Sequence, residues 1–134
     1  MDIVENRALK LRVRNADRIT EVIPKSKVIG EADGVYTVLV HWGLEETHVL
    51  KNLGIRDVPS PILGRYDWPG IYKPFDHQKT TAAFLTMNRR GFNLGEQGTG
   101  KTCATLWAID YLMTNKLIRR ALIVCPLSIM DSAW

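Results

Sequence analysis

Eight consecutive residues constrain the fold of this chain more than any other feature, because they match the pattern G-x-x-x-x-G-K-[ST]. Glycines at these positions let the backbone turn tightly and point several N–H groups inward, which suits a cluster of phosphate oxygens. The run consists of Gly95, Glu96, Gln97, Gly98, Thr99, Gly100, Lys101 and Thr102. It predicts a phosphate-binding loop.

The residues on either side of the loop agree with that prediction. Residues 92–94 form a short run after Gly91 that is typical of a strand, and residues 102–115 contain no Gly or Pro, as expected of a helix. Strand, glycine loop and helix are the order that this motif requires. The alternative is a glycine-rich turn that carries Gly-Lys-Thr by coincidence, and the flanking residues disfavour it.

A triphosphate in this loop would be held by the backbone, one ammonium group and one hydroxyl. Lys101 is expected to reach the β- and γ-phosphates. Thr102 is expected to ligate Mg²⁺, which requires oxygen ligands. The helix that begins near Lys101 adds the positive end of its dipole. The expected ligand is therefore a nucleoside triphosphate with Mg²⁺.

Composition places the chain among soluble globular proteins, with 134 residues, 46% of them hydrophobic and 24% charged. That length suits one domain or two small ones. No apolar run reaches the roughly 20 residues of a membrane span, and residues 1–5 lack a signal-peptide pattern. We expect a cytoplasmic protein, in the host cytoplasm if the source is a virus, with no membrane partner.

The cysteines and histidines do not predict a metal site. Cys103 and Cys125 form neither a CxxC pair nor a zinc spacing, so buried reduced thiols are expected. His41, His48 and His77 are scattered, and none has a ligand partner at a useful spacing. Each histidine is expected to be structural or exposed.

The net charge of +4 is unevenly distributed. Residues 1–72 contain ten basic and ten acidic side chains, whereas residues 73–134 contain eight basic and four acidic ones. Apart from Lys101, that excess includes the pairs 89–90 and 119–120, both Arg-Arg, which could touch a nucleic-acid backbone. Basic residues near helix C-termini also favour the helix dipole, and this is the stronger explanation of the pairs.

The first part of the chain, residues 1–63, is predicted to be a small β-rich accessory domain. Several of its segments either alternate between polar and apolar residues or are rich in Val, Ile, Thr and Tyr. Turn residues lie between these segments. Strands are expected at Ala8–Val13, 18–23 and 35–42, a turn at 31–34, and a helix at 44–53 that ends at Gly54.

A proline-rich segment, residues 64–75, is predicted to be a linker. Its four aromatic residues indicate that it packs on the part that follows. Residues 76–134 should begin with a helix over 76–90, capped by Asp76 and stopped by Gly91. After the glycine loop and its helix we expect a second buried strand at 120–124 and a last helix capped by Ser128.

Three segments taken together resemble the opening of a superfamily 2 helicase core, specifically the Swi/Snf-type DNA-dependent ATPases, and most of all their compact bacteriophage members. Residues 75–78 resemble the Q motif, residues 92–102 motif I, and residues 122–128 with Trp134 motif Ia. The departures are Gln97, where methionine is usual, and a Trp134 about one residue late. The implied fold is α/β: the β-rich domain followed by the start of a RecA-like P-loop domain with an incomplete parallel sheet.

The resemblance implies ATP as the nucleotide, with Gln78 reading adenine and Ser128 near bound DNA. Lys101 and Thr102 would serve the chemistry, and the partners would be double-stranded or branched DNA and the remainder of the helicase core. The chain contains no Asp-Glu-x-His motif and no second lobe with an arginine finger, a group worth about 10³–10⁵ in rate. We therefore expect an N-terminal fragment of such a motor that has negligible activity by itself.

Two other functions stay open at this point. One is a naturally short, non-catalytic module that binds nucleotide, DNA or a partner chain. The other is an unrelated P-loop kinase or transferase, against which Gln78 and the Cys-Pro-x-Ser sequence at residues 125–128 argue.

Overall fold

The computed structural model describes residues 1–130, so Trp134 of the predicted motif Ia lies outside the described residues. Within them the chain forms four strands and five helices. The strands are β1 (Asp2–Val4), β2 (Ala8–Val13), β3 (Ser26–Ala32) and β4 (Val35–His41). The helices are α1 (Asp17–Thr20), α2 (Leu44–Asn52), α3 (Ile62–Arg65), α4 (Asp76–Met87) and α5 (Lys101–Thr114), and a 3-10 turn follows at Leu127–Ile129.

The four strands form one antiparallel sheet in the order β1-β2-β4-β3. Its inner face is apolar, since Leu9 and Leu11 of β2 lie opposite Val40 and Val38 of β4 and all four are buried. The alternation in the sequence produces this, because successive side chains of a strand point to opposite faces. The inner face packs with Trp42 and with residues of α1 and α2 to form the first core.

The turn predicted at residues 31–34 is confirmed as the hairpin between β3 and β4. Asp33 and Gly34 occupy its tip with φ of 53° and 71°. Two residues in the left-handed region make the tight turn whose twist matches that of the flanking strands. An Asp-Gly pair suits it because glycine has no Cβ to clash and aspartate tolerates this conformation.

The strand predicted at residues 18–23 is wrong, because this segment begins with helix α1. The side chain of Asn15 accepts a hydrogen bond from the backbone N–H of Asp17 at 3.0 Å, which starts the helix. Ile19 and Ile23 are both buried four residues apart, so the β-branched residues serve one face of a helical turn. The third long strand lies instead at Ser26–Ala32, where none was expected.

The helix predicted at residues 44–53 is confirmed as α2, and Gly54 follows it with φ of 86°. The next predicted helix starts where expected but is shorter. Phe75, not Asp76, is the N-cap of α4, and the helix ends at Met87 rather than near Arg90. Asn88 is extended, and its side chain donates a hydrogen bond to the carbonyl of Phe84 at 2.7 Å, which satisfies one of the last helical carbonyls.

The proline-rich segment packs tightly on α5 through edge-to-face aromatic contacts. Tyr66 lies 5.2 Å from Trp68 and 5.4 Å from Tyr111, and Trp68 lies 5.6 Å from Trp107, between ring centroids. The indole N–H of Trp107 also donates to the carbonyl of Pro69 at 2.9 Å. We call Tyr66, Trp68, Trp107 and Tyr111 the aromatic strap. It joins the second core, formed mainly by α4 and α5.

The tyrosines of the aromatic strap predict that the folded protein loses stability at alkaline pH. Tyr66 donates a hydrogen bond to Asp110 at 2.6 Å, and burial, followed by this bond and the charge of Asp110, raises the pKa of Tyr66 above its ordinary 10.0. Burial also raises the pKa of Tyr111. Because the folded state holds these protons more tightly than the unfolded state, stability should be complete below pH 10 and fall as the pH rises further.

We expect Tyr66→Phe to reduce that alkaline loss of stability, since the substitution removes one of the two tyrosines whose pKa is raised. The urea midpoint measured from pH 8 to 11 would test this, and Tyr66→Phe/Tyr111→Phe should flatten the profile further. A Tyr66→Phe profile parallel to that of the wild type would contradict the assignment.

The expected parallel sheet is not formed by the described residues. Residues 92–94 and 120–124 belong to no helix or strand, and Phe92, Leu94, Leu122 and Val124 are each at least 87% exposed. A strand is defined by its ladder of hydrogen bonds, and neither segment has a ladder partner within residues 1–130. The two predicted strands are therefore wrong for this structure, whose sheet is antiparallel and lies in the first part of the chain.

Candidate functional site

The glycine loop leads directly into α5, as the sequence predicted. Gly100 is the N-cap of α5, with φ of 75°, and Lys101 and Thr102 occupy the first turn. Gly98 also has a positive φ, of 76°. Inside the loop the hydroxyl of Thr99 donates to the carbonyl of Glu96 at 2.8 Å. Two left-handed residues and this short-range bond bend the chain so that the loop precedes the positive end of the helix dipole.

Lys101 folds back over the loop that precedes it. Its Nζ donates to the carbonyls of Gly95 at 2.8 Å and Glu96 at 2.6 Å. The ammonium group is thus held where the loop turns, and it is half-buried. The adjacent Thr102 is also half-buried, and its hydroxyl has no hydrogen-bond partner within residues 1–130.

The loop has donors to offer a phosphate. Gly100 accepts a hydrogen bond at its carbonyl from Ala104 N. The backbone N–H groups of Gly98, Gly100, Lys101 and Thr102, in contrast, donate to no acceptor in the described part of the chain. These are the orphan donors of a helix N-terminus together with those of the preceding loop. Free backbone donors at a helix N-terminus are groups that can bind an anion.

Gln78 joins helix α4 to the loop. Its Oε1 accepts from Phe75 N at 3.0 Å, and its Nε2 donates to the carbonyl of Thr99 at 3.2 Å. His77 Nε2 donates to the same carbonyl at 3.0 Å. The sequence placed Gln78 on adenine; the structure places it at the loop, 9% exposed. One amide N–H and one oxygen lone pair stay free for another partner.

A cleft of about 260 Å³ opens between α4 and the loop. Its walls are His77, Gln78, Thr81, Asn93, Gly95, Thr99, Gly100, Lys101 and Ala104. Asn93 accepts from Gly95 N at 3.3 Å, but its own Nδ2 is buried and has no partner among residues 1–130. A buried donor without a partner is rare, and an acceptor atom of a ligand in the cleft would satisfy it.

Sequence reasoning missed two residues of this cleft. Asn93 was treated as part of an apolar strand, although a lone amide between Phe92 and Leu94 was a visible signal. His77 was predicted to be structural or exposed and was given no role of its own in the segment that resembles the Q motif. The structure instead stacks its ring parallel to Phe75, with ring centroids 5.7 Å apart and planes 8° apart. Both rings are exposed. His77 lines the cleft, and Phe75 is stacked on it, so we call this pair the aromatic edge.

Ser128, the predicted DNA contact, lies inside the 3-10 turn. Most of the last helix that it was predicted to cap falls at residues 131–134, outside the described residues. Its side chain is exposed, and no contact in the described residues connects it to the loop. Cys103 and Cys125 are free thiols, half-buried rather than buried. Within residues 1–130, no three His, Cys, Asp or Glu side chains are grouped closely enough to hold a metal ion. In the same residues no helix is both long and apolar enough to cross a membrane.

Comparison of the chain with protein-family models, with curated proteins and with solved structures found no match.

Two glycines of the loop allow a controlled test of its packing. A Cβ at Gly100 would collide with Gln78 Nε2, whereas a Cβ at Gly98 would meet nothing within 4 Å. Both substitutions strain a left-handed backbone by about 1–2 kcal/mol. Gly100→Ala should also break the bond from Gln78 to Thr99, which is worth about 0.5–1.5 kcal/mol.

We therefore expect Gly100→Ala to destabilise the protein by about 1 kcal/mol more than Gly98→Ala, as measured by urea denaturation. Equal losses from the two substitutions would show that Gln78 does not support the loop.

Proposed function

We propose that this chain is the ATP-Mg-binding part of a Swi/Snf-type DNA motor. The observation that carries the proposal is the glycine loop at the start of α5, closed by Lys101 and held by Gln78 from α4. Helix α4, the loop and the first turn of α5 meet there around free backbone donors. Such an arrangement binds a polyphosphate through many weak donors and one positive charge.

The geometry suggests which part of the site would hold the phosphates and which would hold the base. A cleft of about 260 Å³ is smaller than the roughly 300–1,000 Å³ of most ligand pockets, so it suits the phosphates rather than the whole molecule. The base would lie over the aromatic edge formed by Phe75 and His77, where stacking is available. From there the remaining hydrogen-bonding capacity of Gln78 could read adenine. Thr102 would hold Mg²⁺, and Lys101 would contact the terminal phosphates.

The second candidate is a non-catalytic module that binds nucleotide, DNA or a partner chain. The antiparallel sheet and the unpaired segments 92–94 and 120–124 favour it, because a P-loop motor is built on a parallel sheet. Both candidates require the loop to bind phosphate. They differ in whether further strands of the same polypeptide complete a sheet at those segments.

Base selectivity tests the proposal most directly. We expect wild-type protein to bind ATP more tightly than GTP, and Gln78→Ala to lower the affinity for ATP about 5- to 10-fold more than that for GTP, as measured by calorimetric titration with Mg²⁺ present. Gln97→Ala is the matched control, since Gln97 is an exposed glutamine of the same loop. Equal losses for ATP and GTP would remove the adenine-reading role, and wild-type protein that binds neither nucleotide would refute the proposal.

The two candidates are separated by the intact mass of the native product in its source cells. A mass several-fold above the 15.2 kDa of this chain favours the motor, and a mass equal to it favours the module. We expect residues 1–134 alone to show negligible ATP turnover. DNA-stimulated hydrolysis by the pure chain would contradict that expectation.

A further inference from the structure

The outer face of the antiparallel sheet is strongly basic. Directly paired residues of neighbouring strands point to the same face, so the register defines which side chains share it. One row runs Asp2, Lys10, Leu39, Lys27 across all four strands, and the next rows are Ala8, His41, Lys25 and Arg12, Thr37, Gly30. We call these three rows, together with Arg7, the outer face.

A shallow cleft of about 320 Å³ lies on the outer face. Arg7, Lys25, Ser26, Lys27, Leu39 and His41 are among the residues that line it. The outer face therefore carries five side chains with a fixed positive charge: Arg7, Lys10, Arg12, Lys25 and Lys27. Four of these five are exposed, and Lys10 is half-buried.

The acidic groups near the outer face offset little of this charge. Asp2 lies opposite Lys10 in the register. Glu46, from α2, is 3.7 Å from Lys25 Nζ and 3.3 Å from His41 Nδ1, but its side chain is only 11% exposed. An exposed ion pair such as that of Lys25 holds its partner weakly, so the ammonium group stays available to another anion. Five positive charges thus face two carboxylates.

We propose that the outer face binds the phosphate backbone of duplex DNA. Charge complementarity is the reason, since a nucleic-acid backbone is recognised by clusters of Lys and Arg on one face of a domain. The fold provides spacing as well as charge. Lys10 and Arg12 are two residues apart on one strand, about 7 Å, and Lys10 and Lys27 are separated by two strand spacings, about 10 Å. The face is thus a grid of cations rather than a single anion pocket.

The duplex is favoured over a single strand because the outer face has no base-stacking platform. Proteins that bind single strands use exposed aromatic rings on which successive bases stack. None of the outer-face residues is Phe, Tyr or Trp, and Tyr36 of β4 points to the inner face and packs on the first core. Backbone contacts without stacking fit a paired nucleic acid, whose bases are already stacked on one another.

The test is the salt dependence of duplex binding, measured with a short DNA duplex and no nucleotide or Mg²⁺. We compare wild type with Lys10→Gln/Arg12→Gln/Lys27→Gln and with the control Arg56→Gln/Lys73→Gln/Lys116→Gln. Each triple variant removes three charges, so both change the net charge from +4 to 4 − 3 = +1. The logarithm of the binding constant falls linearly with the logarithm of the salt concentration, and the slope is about 0.9 for each phosphate contact.

The slope for the outer-face variant should be smaller than that for the wild type by about 2 to 3, and the slope for the control should equal that for the wild type. Thr37→Lys adds a cation to the middle of the same face and should steepen the slope by about 1. Loss of folding cannot produce such a gain, so this variant tests the face independently of stability. Equal slopes for the two triple variants, or tighter binding of a single strand than of the duplex, would overturn the inference. Lys101→Ala should not alter the slope, so this result is independent of the proposed ATP site.

Discussion

Replacing Lys101 with alanine should weaken ATP-Mg binding by about 10- to 150-fold. A hydrogen bond to a charged group is worth about 1.5–3 kcal/mol, and each 1.4 kcal/mol is a factor of ten in affinity. The ammonium group now bonds only the carbonyls of Gly95 and Glu96, at the position from which it would contact the terminal phosphates. Titration calorimetry with wild-type and variant protein measures the difference.

The control for this experiment is Lys116→Ala, which removes the same charge from an exposed position beyond the end of α5. It should leave ATP affinity within about twofold of wild type, because exposed charges beyond about 10 Å are screened at moderate salt. The urea midpoint of Lys101→Ala should fall only modestly, since the two hydrogen bonds that it removes, to the carbonyls of Gly95 and Glu96, lie in an exposed loop. Undiminished ATP affinity in Lys101→Ala would contradict the assignment of the loop as a phosphate site.

Trp42→Ala should destabilise the protein by about 3–5 kcal/mol, the range for a buried large aromatic residue. The side chain is 1% exposed and belongs to the first core. Its indole N–H donates to the carbonyl of Pro59 at 2.9 Å, and a Cβ at Gly64 would lie 2.6 Å from its ring. Because small domains are stable by only about 5–15 kcal/mol, the variant should be close to unfolded at 37 °C.

Trp42→Phe separates packing from hydrogen bonding at the same position. It keeps most of the apolar area but leaves the carbonyl of Pro59 without its donor, so it should cost less than Trp42→Ala, about 1–3 kcal/mol. Thermal unfolding followed by circular dichroism at 222 nm gives both values. A loss of less than 1 kcal/mol for Trp42→Ala would show that the residue is not central to the core.

The elements that sequence reasoning predicted correctly are those specified by neighbouring residues. Alternation identified β2, the Asp-Gly pair identified the hairpin, and Gly54 marked the end of α2. The glycine loop and α5 were predicted for the same reason. The error at residues 18–23 arose because β-branched residues suit a strand and can equally bury one side of a helical turn. In the structure the side chain of Asn15 accepts a hydrogen bond from Asp17 N at the start of α1, and Ile19 and Ile23 are buried together.

The parts of the site that could not be predicted depend on contacts between distant residues. Nothing in the neighbourhood of Gln78 specifies a bond to Thr99, 21 residues away. The basic outer face was hidden for a related reason. Residues 1–72 have ten charges of each sign, so the net charge of this part is zero. The pairing register nevertheless places Lys10, Arg12 and Lys27 on one face of the sheet. Only the fold separates the two signs.

The segment between β4 and α4 makes hydrogen bonds to residues of both the first core and the helices α4 and α5. Arg65 donates to the carbonyl of Trp42 at 3.1 Å, and the next residue, Tyr66, is bonded to Asp110 of α5. Ser60, a few residues earlier, lies 2.7 Å from Thr86 of α4 between the hydroxyl oxygens. Neighbouring residues of this segment thus contact different cores. Pro59 and Arg65 bond to Trp42 of the first core, whereas Ser60 and Tyr66 bond to α4 and α5. Loss of either core exposes part of the other, which is the condition for a single cooperative unfolding transition.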